Sequence, residues 1–459
     1  MRQTLSSQSG QSMSRRNFLK FGGGALALAA GAYLVPKAVS AAVEAARSAA
    51  PSAPNIDANG DYFYHLAATD GWVHLPPKGT IYHPDPWAPA PFNTYTFGFR
   101  DVTGLSDADV RAQKGLVQAS APILYAQEGK ELRIKLTNLG FSTRPDLTDG
   151  HTIHFHGFPN AIPAFDGVPE LSMGVPSGRS YTYYYQPHDP GTYMYHCHFE
   201  DVEHVSMGMT GIVYVRPAQT LGSTSAAFAQ HFPGYAGPAI PAGNYAYNDL
   251  VMPGDPLSTA YDRDFAMFLS EYWTLERWEA AHIQEHDWSE YHPDYWAING
   301  RSYPDTLASD GDPLASAAAG WPDGREELRY QPLSSLVTCR AGERVLLRFS
   351  NLGFQQHAMR ADGLIFNVVG KDAKFLGPTP AQSAPPAPAY PDRRFQTDTI
   401  YVAPGESYDA IFTAPPFSGG TGNSGNGYDT YLLYDRKLAH LNNGGVPFGG
   451  MMTEIRVSA

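Results

Sequence analysis

The chain has 459 residues, of which 43% are hydrophobic, and its formal net charge is −13. This length exceeds what one hydrophobic core usually holds, so two domains are the first expectation. Residues 1–42 contain five basic residues and no acidic one, which leaves the remainder with a net charge of −18. Such an acidic surface repels nucleic acid and anionic lipid and suits a neutral or cationic partner.

Glycine and proline number 45 and 38, and aromatic residues make up 13% of the chain. This composition favours many short strands joined by tight turns, so the predicted fold class is all-β. Only two cysteines are present, Cys197 and Cys339, which excludes the disulfide framework typical of small exported domains. Counting alone leaves a single bridge between them open.

The first forty residues have the pattern of a targeting segment. The stretch Ser14–Lys20 (SRRNFLK) precedes a weakly apolar, Gly/Ala-rich run that ends at Pro36. This run is shorter than the roughly 20 residues of a membrane span, and the segment resembles a twin-arginine export signal. We therefore expect residues 1–42 to be a signal peptide and residues 43–91 to be a leader and N-terminal extension. The mature protein is then expected to be periplasmic or extracellular, with no membrane span.

The chain contains an internal repeat. The segment EGKELRIKLTNLGF from Glu128 to Phe141 returns as AGERVLLRFSNLGF from Ala341 to Phe354. Gly208-Met209 near the end of one copy corresponds to Gly450-Met451 near the end of the other. The two halves are therefore predicted to be structural copies of one another.

Each copy is predicted to be a Greek-key β-sandwich. In the segment LRIKLTN, apolar and polar residues alternate between a Gly and an Asn, as in a half-buried strand, and several such segments occur per copy. We expect the first sandwich at residues 92–217, a Pro/Gly/Ala-rich linker at 218–256 and the second sandwich at 257–459. Leu275–Asp287 has helix-forming composition and is predicted to be a helix inserted early in the second half.

Histidines cluster on two predicted strands of the first copy. On a strand, residues two apart share a face and residues an odd number apart do not. In the segment HTIHFHG, His154 and His156 therefore face away from His151, and in the segment HCH, Cys197 faces away from both of its neighbours. Two such strands lying side by side build two adjoining metal sites, with His151 and Cys197 at one of them.

The first of these sites has the ligands of blue copper. Two His and one Cys thiolate with a distant Met thioether suit this metal, because soft sulfur favours Cu(I) and imidazole accepts both oxidation states. The predicted type 1 copper ligands are His151, Cys197, His204 and Met209. The second site is predicted to use four histidines, namely His154, His156, His196 and His198.

Several motifs resemble those of the multicopper oxidases. They are His-x-His-Gly, the Asp-Gly-Val-Pro that begins at Asp166, the run GTYMYHCH that ends at His198, and Gly208-Met209. The resemblance covers residues 93–216 strongly and the second half through its scaffold. It implies two tandem cupredoxin-like Greek-key domains with copper as the cofactor.

The resemblance also implies an activity. A reducing substrate is oxidised one electron at a time at the type 1 copper, and electrons pass through Cys197 to His196 and His198. Dioxygen is reduced to water at the type 2/type 3 copper site that these histidines help to form. Asp166, ten residues after His156, matches the family's acid beside that site, where a carboxylate relays protons.

The second half departs from the family pattern. A complete trinuclear copper cluster in this family uses four His-x-His pairs, and this chain has two. The repeat places Arg360 and Asp362 opposite His154 and His156, and Tyr434-Asp435-Arg436 opposite the HCH segment. The second sandwich is therefore predicted to keep the fold and to lack blue-copper ligands. Completing the cluster then needs unusual ligands or a neighbouring subunit, for example in a homotrimer.

His282 and His286 lie four residues apart on the predicted helix and are candidates for such additional ligands. A polar helix face is the favoured interpretation. Cys339 aligns with Ala126 on a repeat strand, which predicts a small buried side chain.

Three functions remain open from the sequence. The favoured one is a laccase-like oxidase whose partners are dioxygen and a small-molecule, metal-ion or redox-protein reductant. The second is a non-catalytic blue-copper electron carrier. The third is a nitrite-reductase-like copper enzyme, against which His198 counts, because in those enzymes the residue after the copper-binding Cys is not His.

Overall fold

The computed structural model describes residues 55–76, 85–158, 161–315, 320–378, 391–420 and 426–459. The predicted signal peptide and the first part of the predicted leader lie outside these described residues. Strands dominate the described part of the chain, and they belong to two sandwiches. No helix in the described ranges is both long and apolar enough to span a membrane.

The first sandwich consists of nine strands. They are β1 (Asn55–Ile56), β2 (Tyr62–Val73), β3 (Thr94–Asp101), β4 (Leu124–Gln127), β5 (Leu132–Asn138), β6 (His154–Phe155), β7 (Ser180–Tyr185), β8 (Gly191–His196) and β9 (Thr210–Arg216). One sheet has the order β1-β2-β5-β7 with β3 also paired to β2, and the other has the order β4-β9-β8-β6. Along β5, buried and half-buried residues alternate as the sequence predicted, because one face packs on the core.

The second sandwich repeats this plan. Its strands are β10 (Arg263–Tyr272), β11 (Tyr295–Ile298), β12 (Val337–Arg340), β13 (Arg344–Asn351), β14 (His357–Ala361), β15 (Phe366–Lys371), β16 (Lys374–Phe375), β17 (Phe395–Thr397), β18 (Thr399–Val402), β19 (Ser407–Thr413), β20 (Tyr428–Asp435), β21 (Asn442–Asn443), β22 (Val446–Pro447) and β23 (Met452–Ser458). One sheet has the order β16-β15-β19-β13-β10-β11-β21-β22, with β17 on β15, and the other has the order β12-β23-β20-β14-β18. The predicted all-β fold of two tandem sandwiches is confirmed.

The helices among the described residues are short. The α-helices are α1 (Asp107–Arg111), α2 (Asp201–Ser206), α3 (Ala226–His231) and α4 (Thr274–Ala281). The 3-10 turns are Pro163–Phe165, Ala218–Leu221, Trp288–Glu290, Asp305–Leu307, Pro322–Gly324, Glu326–Leu328 and Leu438–His440. The predicted linker at 218–256 contains one 3-10 turn and α3, and is otherwise irregular.

Two predictions about segment boundaries need correction. Strand β2 lies in the predicted N-terminal extension, yet it pairs in parallel with β5 from Tyr62↔Leu132 to Ala68↔Asn138. The first sandwich therefore starts well before residue 92. The predicted helix at Leu275–Asp287 ends at Ala281, because Ile283 adopts a positive φ of 59° that a helix cannot continue through.

Each sandwich has its own hydrophobic core, and β8 joins them. Thr192 on β8 donates from its hydroxyl to Asp409 at 2.6 Å, and its carbonyl accepts a hydrogen bond from the hydroxyl of Ser407 at 2.8 Å. Arg348, fully buried beside them, also donates to the Thr192 hydroxyl. These contacts hold the second sandwich against the strand that leads into Cys197.

Candidate metal centre

His151, Cys197 and His204 converge at one end of the first sandwich. His151 forms a β-bridge with Val175, Cys197 follows β8 directly, and His204 lies on α2. The Cys197 Sγ is 3.7 Å from the Nδ1 atom of His151 and 3.2 Å from the Nδ1 atom of His204. All three side chains are almost completely buried.

Met209 belongs to the same backbone frame. The Cys197 amide donates to the Met209 carbonyl at 3.1 Å, and the Met209 amide donates to the His204 carbonyl at 2.8 Å. The Met209 side chain is fully buried in the first core. Met207, the other methionine of this loop, is also buried, but its carbonyl accepts a hydrogen bond from Phe97 on β3.

Burial sets the protonation of these ligands. Desolvation lowers the pKa of His204 to about 4 and holds that of His151 well below its usual value, so both imidazoles are neutral at neutral pH. Desolvation raises the pKa of Cys197 to about 11, so the thiol needs a bound cation to become a thiolate. One thiolate and two neutral imidazoles fit copper.

Helix α4 of the second half supports the segment of the first half that lies between His204 and Met209. Arg277 is fully buried and donates to the Ser206 carbonyl at 2.6 Å, the Met207 carbonyl at 3.2 Å and the Thr96 hydroxyl at 2.7 Å. Glu276 accepts a hydrogen bond from the hydroxyl of Ser206 at 2.7 Å. Arg277 thus fixes the segment between the His and Met ligands, a role that the sequence did not indicate.

A second group forms from His154, His156 and His196, whose ligand nitrogens lie within 4.8 Å of one another. His154 uses Nδ1 to donate to the Asp166 carbonyl, and His196 uses Nδ1 to donate to the Cys197 carbonyl, both at 2.7 Å. Backbone carbonyls only accept hydrogen bonds, so these contacts leave the Nε2 atoms as metal ligands.

The geometry around His156 points to a cation. Its Nδ1 faces the backbone at Gly405, and its Nε2 lies 2.9 Å from the Nε2 of His196. Burial lowers the pKa of His196 to about 3 and also lowers that of His156, so both rings are neutral. Where both Nε2 atoms carry lone pairs, a metal ion satisfies both of them, and otherwise one ring donates a hydrogen bond to the other.

His198 lies beside this group without joining it fully. Its ring centroid is 4.9 Å from that of His154 and 5.5 Å from that of His196, and its amide donates to Thr152. The structure thus brings together three of the four predicted cluster histidines, with the fourth adjacent. The side chains divide between the two sites as strand parity predicted.

The histidine group opens on a cavity of about 290 Å³ between the two sandwiches. His154 and His156 line one side, and Asp372 and Ser407 of the second sandwich line the other. Asp166 is partly exposed nearby, with its Oδ1 3.6 Å from the Nδ1 of His154.

The second sandwich carries no histidine at the equivalents of His154 and His156. Arg360 instead forms ion pairs with Asp362 at 2.5 Å and Asp398 at 2.6 Å. The Tyr434 hydroxyl donates to Asp362 at 2.9 Å. This surface is a hydrogen-bonded ion-pair patch with no soft or imidazole ligand.

Three other residues singled out in the sequence have structural explanations. His282 follows the last residue of α4 and pairs with Asp85 at 3.0 Å, whereas His286 lies farther beyond the helix and pairs with Glu279 at 3.1 Å. The expectation that both share one helix face is therefore wrong. Cys339 is a free, buried thiol in β12, as its alignment with Ala126 predicted.

Sequence reasoning also missed a buried group in the second sandwich, formed by His357, Asp435 and His440. The repeat that places Asp435 opposite Cys197 also places His357 opposite His151, but it gives no such partner for His440. The signal was present in the sequence, because His440 lies five residues after Asp435 and before Gly450-Met451, in the order Cys197, His204, Gly208-Met209.

Comparison with known proteins agrees with this fold. Residues 117–220 match a family model described as multicopper oxidase. A stretch of 122 residues, 26% of the chain, is 30% identical to multicopper oxidase CTB12 of Cercospora beticola, and it spans 16% of that protein. The blue copper oxidase of Nitrosomonas europaea has a TM-score of 0.54 at 22% identity, and a multicopper oxidase called mgLAC has 0.52 at 21%. Each alignment covers 86% of this chain and 85% of the other.

The fold and the site define a copper protein built from cupredoxin-like sandwiches. Residues 117–220 of its first sandwich are similar to multicopper oxidases, and copper is the metal that the His151, Cys197 and His204 donor set fits.

Proposed function

We propose that this protein is a copper-dependent oxidase that takes electrons singly from a reducing substrate at the type 1 site and delivers them to dioxygen at the histidine group. One observation carries this proposal. The sulfur ligand of the type 1 site and a nitrogen ligand of the histidine group belong to consecutive residues, Cys197 and His196. One peptide unit therefore links the two sites.

Copper at these sites supplies one-electron chemistry and a place for dioxygen to react. The chain itself contributes orientation, because backbone carbonyls fix the rings of His154 and His196 with their Nε2 atoms directed inward. It also contributes a confined space, the cavity between the sandwiches. Reduction of dioxygen to two molecules of water consumes four electrons and four protons, and in this proposal Asp166, 3.6 Å from His154, delivers protons.

The ligands that complete a type 2/type 3 copper site are part of the proposal. The second sandwich has an ion-pair patch where the family has histidines, so the missing ligands come from a neighbouring copy, as in a homotrimer, or from groups such as Asp372 in the cavity. The reductant is a phenol-like molecule, a metal ion or a basic redox protein, in keeping with the chain's net negative charge.

A specific observation favours a second candidate. At the histidine group, only His154, His156 and His196 among the described residues bring their ligand nitrogens within 4.8 Å of one another, which suffices for one copper ion and not for three. A protein with the type 1 copper and at most one further ion would be an electron carrier or a nitrite-reductase-like enzyme.

Copper content and oxygen uptake test the proposal together. We expect more than one copper per chain, with one blue and the others not, and oxygen consumption when a phenol or Fe(II) is supplied. The variant His156→Gln should keep the blue absorption and lose oxygen consumption, whereas the exposed His188→Gln control should keep both. One copper per chain, all of it blue, together with no oxygen uptake would leave the electron carrier.

Asp166 has a separate test. Asp166→Asn removes the ionisable group and keeps the shape, so turnover should fall by roughly 10²-fold, the lower end of acid–base contributions, while the blue absorption stays unchanged. An unchanged pH profile of turnover in this variant would remove Asp166 from the proton path.

Export completes the proposal. The motif at Ser14–Lys20 supports a twin-arginine route, which delivers folded, cofactor-loaded proteins outside the cytoplasm. Replacing Arg15 and Arg16 together by lysine should retain the protein in the cytoplasm. Unchanged recovery of the variant from the periplasm or medium would contradict this part.

A further inference from the structure

The second sandwich reproduces the backbone frame of the copper site. The Asp435 amide donates to the Met451 carbonyl at 3.0 Å, and the Met451 amide donates to the His440 carbonyl at 3.0 Å. The same two bonds, at 3.1 and 2.8 Å, join Cys197, Met209 and His204 in the first sandwich. His440 is therefore the spatial equivalent of His204, although it lies five residues after Asp435, whereas His204 lies seven residues after Cys197.

His151 and Met209 also have counterparts in the second sandwich. His357 opens β14 and pairs with Val402, as His151 pairs with Val175 in the first sandwich. Met451 is fully buried in the second core. The second sandwich thus holds His, Asp, His and Met at the four positions where the first holds His, Cys, His and Met.

The donor atoms also face one another in the same way. The Asp435 Oδ2 lies 2.7 Å from the Nδ1 of His357 and 2.6 Å from the Nδ1 of His440. In the copper site, the two Nδ1 atoms likewise face the Cys197 Sγ. All three side chains of the second group are completely buried.

The outer nitrogens fix the tautomers of both rings. The Nε2 of His357 faces the Glu271 carboxylate at 3.1 Å, and this oxygen can only accept. The Nε2 of His440 faces the Gln355 Oε1 at 2.9 Å, and the Lys437 ammonium donates to the same atom. Both Nε2 atoms therefore carry hydrogen, the arrangement that orients metal-binding histidines.

With neutral rings, the centre of this group therefore brings hydrogen-bond acceptors face to face without a donor between them. With both Nε2 atoms protonated, any ring that stays neutral directs its Nδ1 lone pair at the Asp435 carboxylate, which is itself an acceptor. Two added protons or one cation can reconcile these three acceptors. The first solution buries two imidazolium ions, whereas the second needs a single ion at a place where this fold already builds a copper site.

We propose that His357, Asp435 and His440 bind a divalent ion of the borderline class, Cu²⁺ or Zn²⁺, in the second sandwich. Two imidazole nitrogens and one carboxylate oxygen are ligands that both ions accept. Ligand bonds of about 2.0–2.2 Å place tetrahedral donors about 3.3 Å apart, so the Asp435 carboxylate withdraws by roughly 0.7 Å when the ion binds. The site stands independently of the proposed oxidase activity, and it reverses the expectation that this sandwich lacks metal.

The carboxylate that replaces the thiolate determines the properties of this second site. Without a thiolate, bound Cu²⁺ has none of the intense colour of the first site, and Zn²⁺ has no redox chemistry. The ion links β14, the end of β20 and the loop that carries His440, so its role is to stabilise the second sandwich.

Metal counting in matched variants tests the proposal. The purified full-length protein is saturated with Cu²⁺ or, in a second arm, with Zn²⁺, desalted, and analysed for metal per chain. Asp435→Asn keeps the side-chain shape and removes its charge. Asp429→Asn is the control, because Asp429 is a buried, hydrogen-bonded carboxylate on the same strand.

The expected result is a loss of about one ion per chain in Asp435→Asn and in His440→Gln, with no loss in Asp429→Asn. The blue absorption of the first site should be the same in all of them, so failure of this site and failure of the oxidase are distinguishable. Equal metal content in Asp435→Asn and the unmodified protein would overturn the proposal and leave a network of buried ion pairs.

A gain-of-function variant makes the test independent of loss by misfolding. Asp435→Cys restores the thiolate to a frame that already has two His and one Met, so the blue absorption per chain should about double on addition of Cu²⁺. Blue absorption that stays at the level of the unmodified protein would show that the second frame does not admit a metal ion, and it would overturn the proposal.

Discussion

The two sandwiches share one backbone frame and differ most at a single ligand position. In the first, a thiol stands between two imidazoles at distances of 3.2 and 3.7 Å, and in the second, a carboxylate stands between two imidazoles at 2.6 and 2.7 Å. The group of the first sandwich, with the longer distances, is neutral before metal binds. The group of the second sandwich, with the shorter distances, is held together by attraction between charged side chains. The comparison shows how one fold supports two kinds of chemistry through one side chain.

The surroundings of the two groups also differ in charge, because the first group has apolar neighbours and the second has carboxylates. The rings of the copper site are flanked by Phe97 and Phe141. These apolar neighbours do not offset the cost of burying a protonated imidazole. In the second sandwich, His357 contacts two carboxylates, those of Asp435 and Glu271. Burial by itself lowers the pKa of His357, but these hydrogen bonds outweigh burial and raise it.

The largest expected effect comes from removing the sulfur. Cys197→Ser should abolish the blue absorption and all substrate oxidation, because no other described thiol reaches the site. Cys339→Ser is the matched control, since Cys339 is equally buried but packs in β12 of the second sandwich. Visible spectra and oxygen uptake of both variants give the answer. Blue colour that survives in Cys197→Ser would contradict the site assignment.

The second prediction compares the first histidine of each group. In the metal-free protein, His357→Gln should lower the free energy of unfolding by about 3–5 kcal/mol, because it leaves two buried carboxylates without their partner. His151→Gln, whose partner is a neutral thiol, should cost only about 1 kcal/mol. Urea denaturation of the two variants measures the difference. Equal losses would break the contrast between a charged and a neutral group.

The third prediction concerns pH. The pKa of His204 is lowered to about 4 in the folded protein, so the unfolded chain binds more protons between about pH 6.5 and 4. This group should therefore remove up to about 3 kcal/mol of stability from the metal-free protein as pH falls through that range, and none above it.

His357 should act in the opposite direction. Its folded pKa is raised, so its stabilisation is fully present below about pH 6.5 and is lost as pH rises through the folded value. Unfolding free energies measured from pH 4 to 9 should show the acid limb flattened in His204→Gln and the alkaline limb flattened in His357→Gln. Identical pH profiles of the two variants would contradict the pKa directions.

The smallest expected effect tests the support from α4. Arg277→Met removes the donors that hold the loop between the His and Met ligands, and copper retention should weaken by about 10–100-fold. The rate at which a chelator bleaches the blue absorption reports this change. Arg133→Met, which breaks partly exposed ion pairs with Asp57 and Glu131, should leave the rate unchanged.

Sequence reasoning reached the fold and the division of ligands because both depend on local periodicity. The alternating pattern of LRIKLTN, together with its counterpart in the second half, predicted the sandwiches. Strand parity separated His151 and Cys197 from His154 and His156. These signals are carried by neighbouring residues on one or two strands. The alternation of β5 between core and solvent is their direct structural counterpart.

Long-range contacts account for what the sequence did not reveal. Strand β2 enters the sheet by pairing with β5, about 70 residues away, and nothing in its own pattern names that partner. Arg277 reaches Thr96 and Met207 across the boundary between the two halves. His440 belongs to its group through a loop of altered length. Each depends on three-dimensional proximity, which residue spacing does not encode.

The most direct test of the central claim is the reoxidation of the type 1 copper. The copper-loaded protein is reduced without oxygen and then mixed rapidly with dioxygen while the blue absorption is followed. If Cys197 and His196 link the type 1 site to an oxygen-reducing histidine group, the blue absorption returns on the timescale of turnover and fails to do so in His156→Gln. If it fails to return in the unmodified protein, or returns equally fast in His156→Gln, the histidine group does not reduce dioxygen.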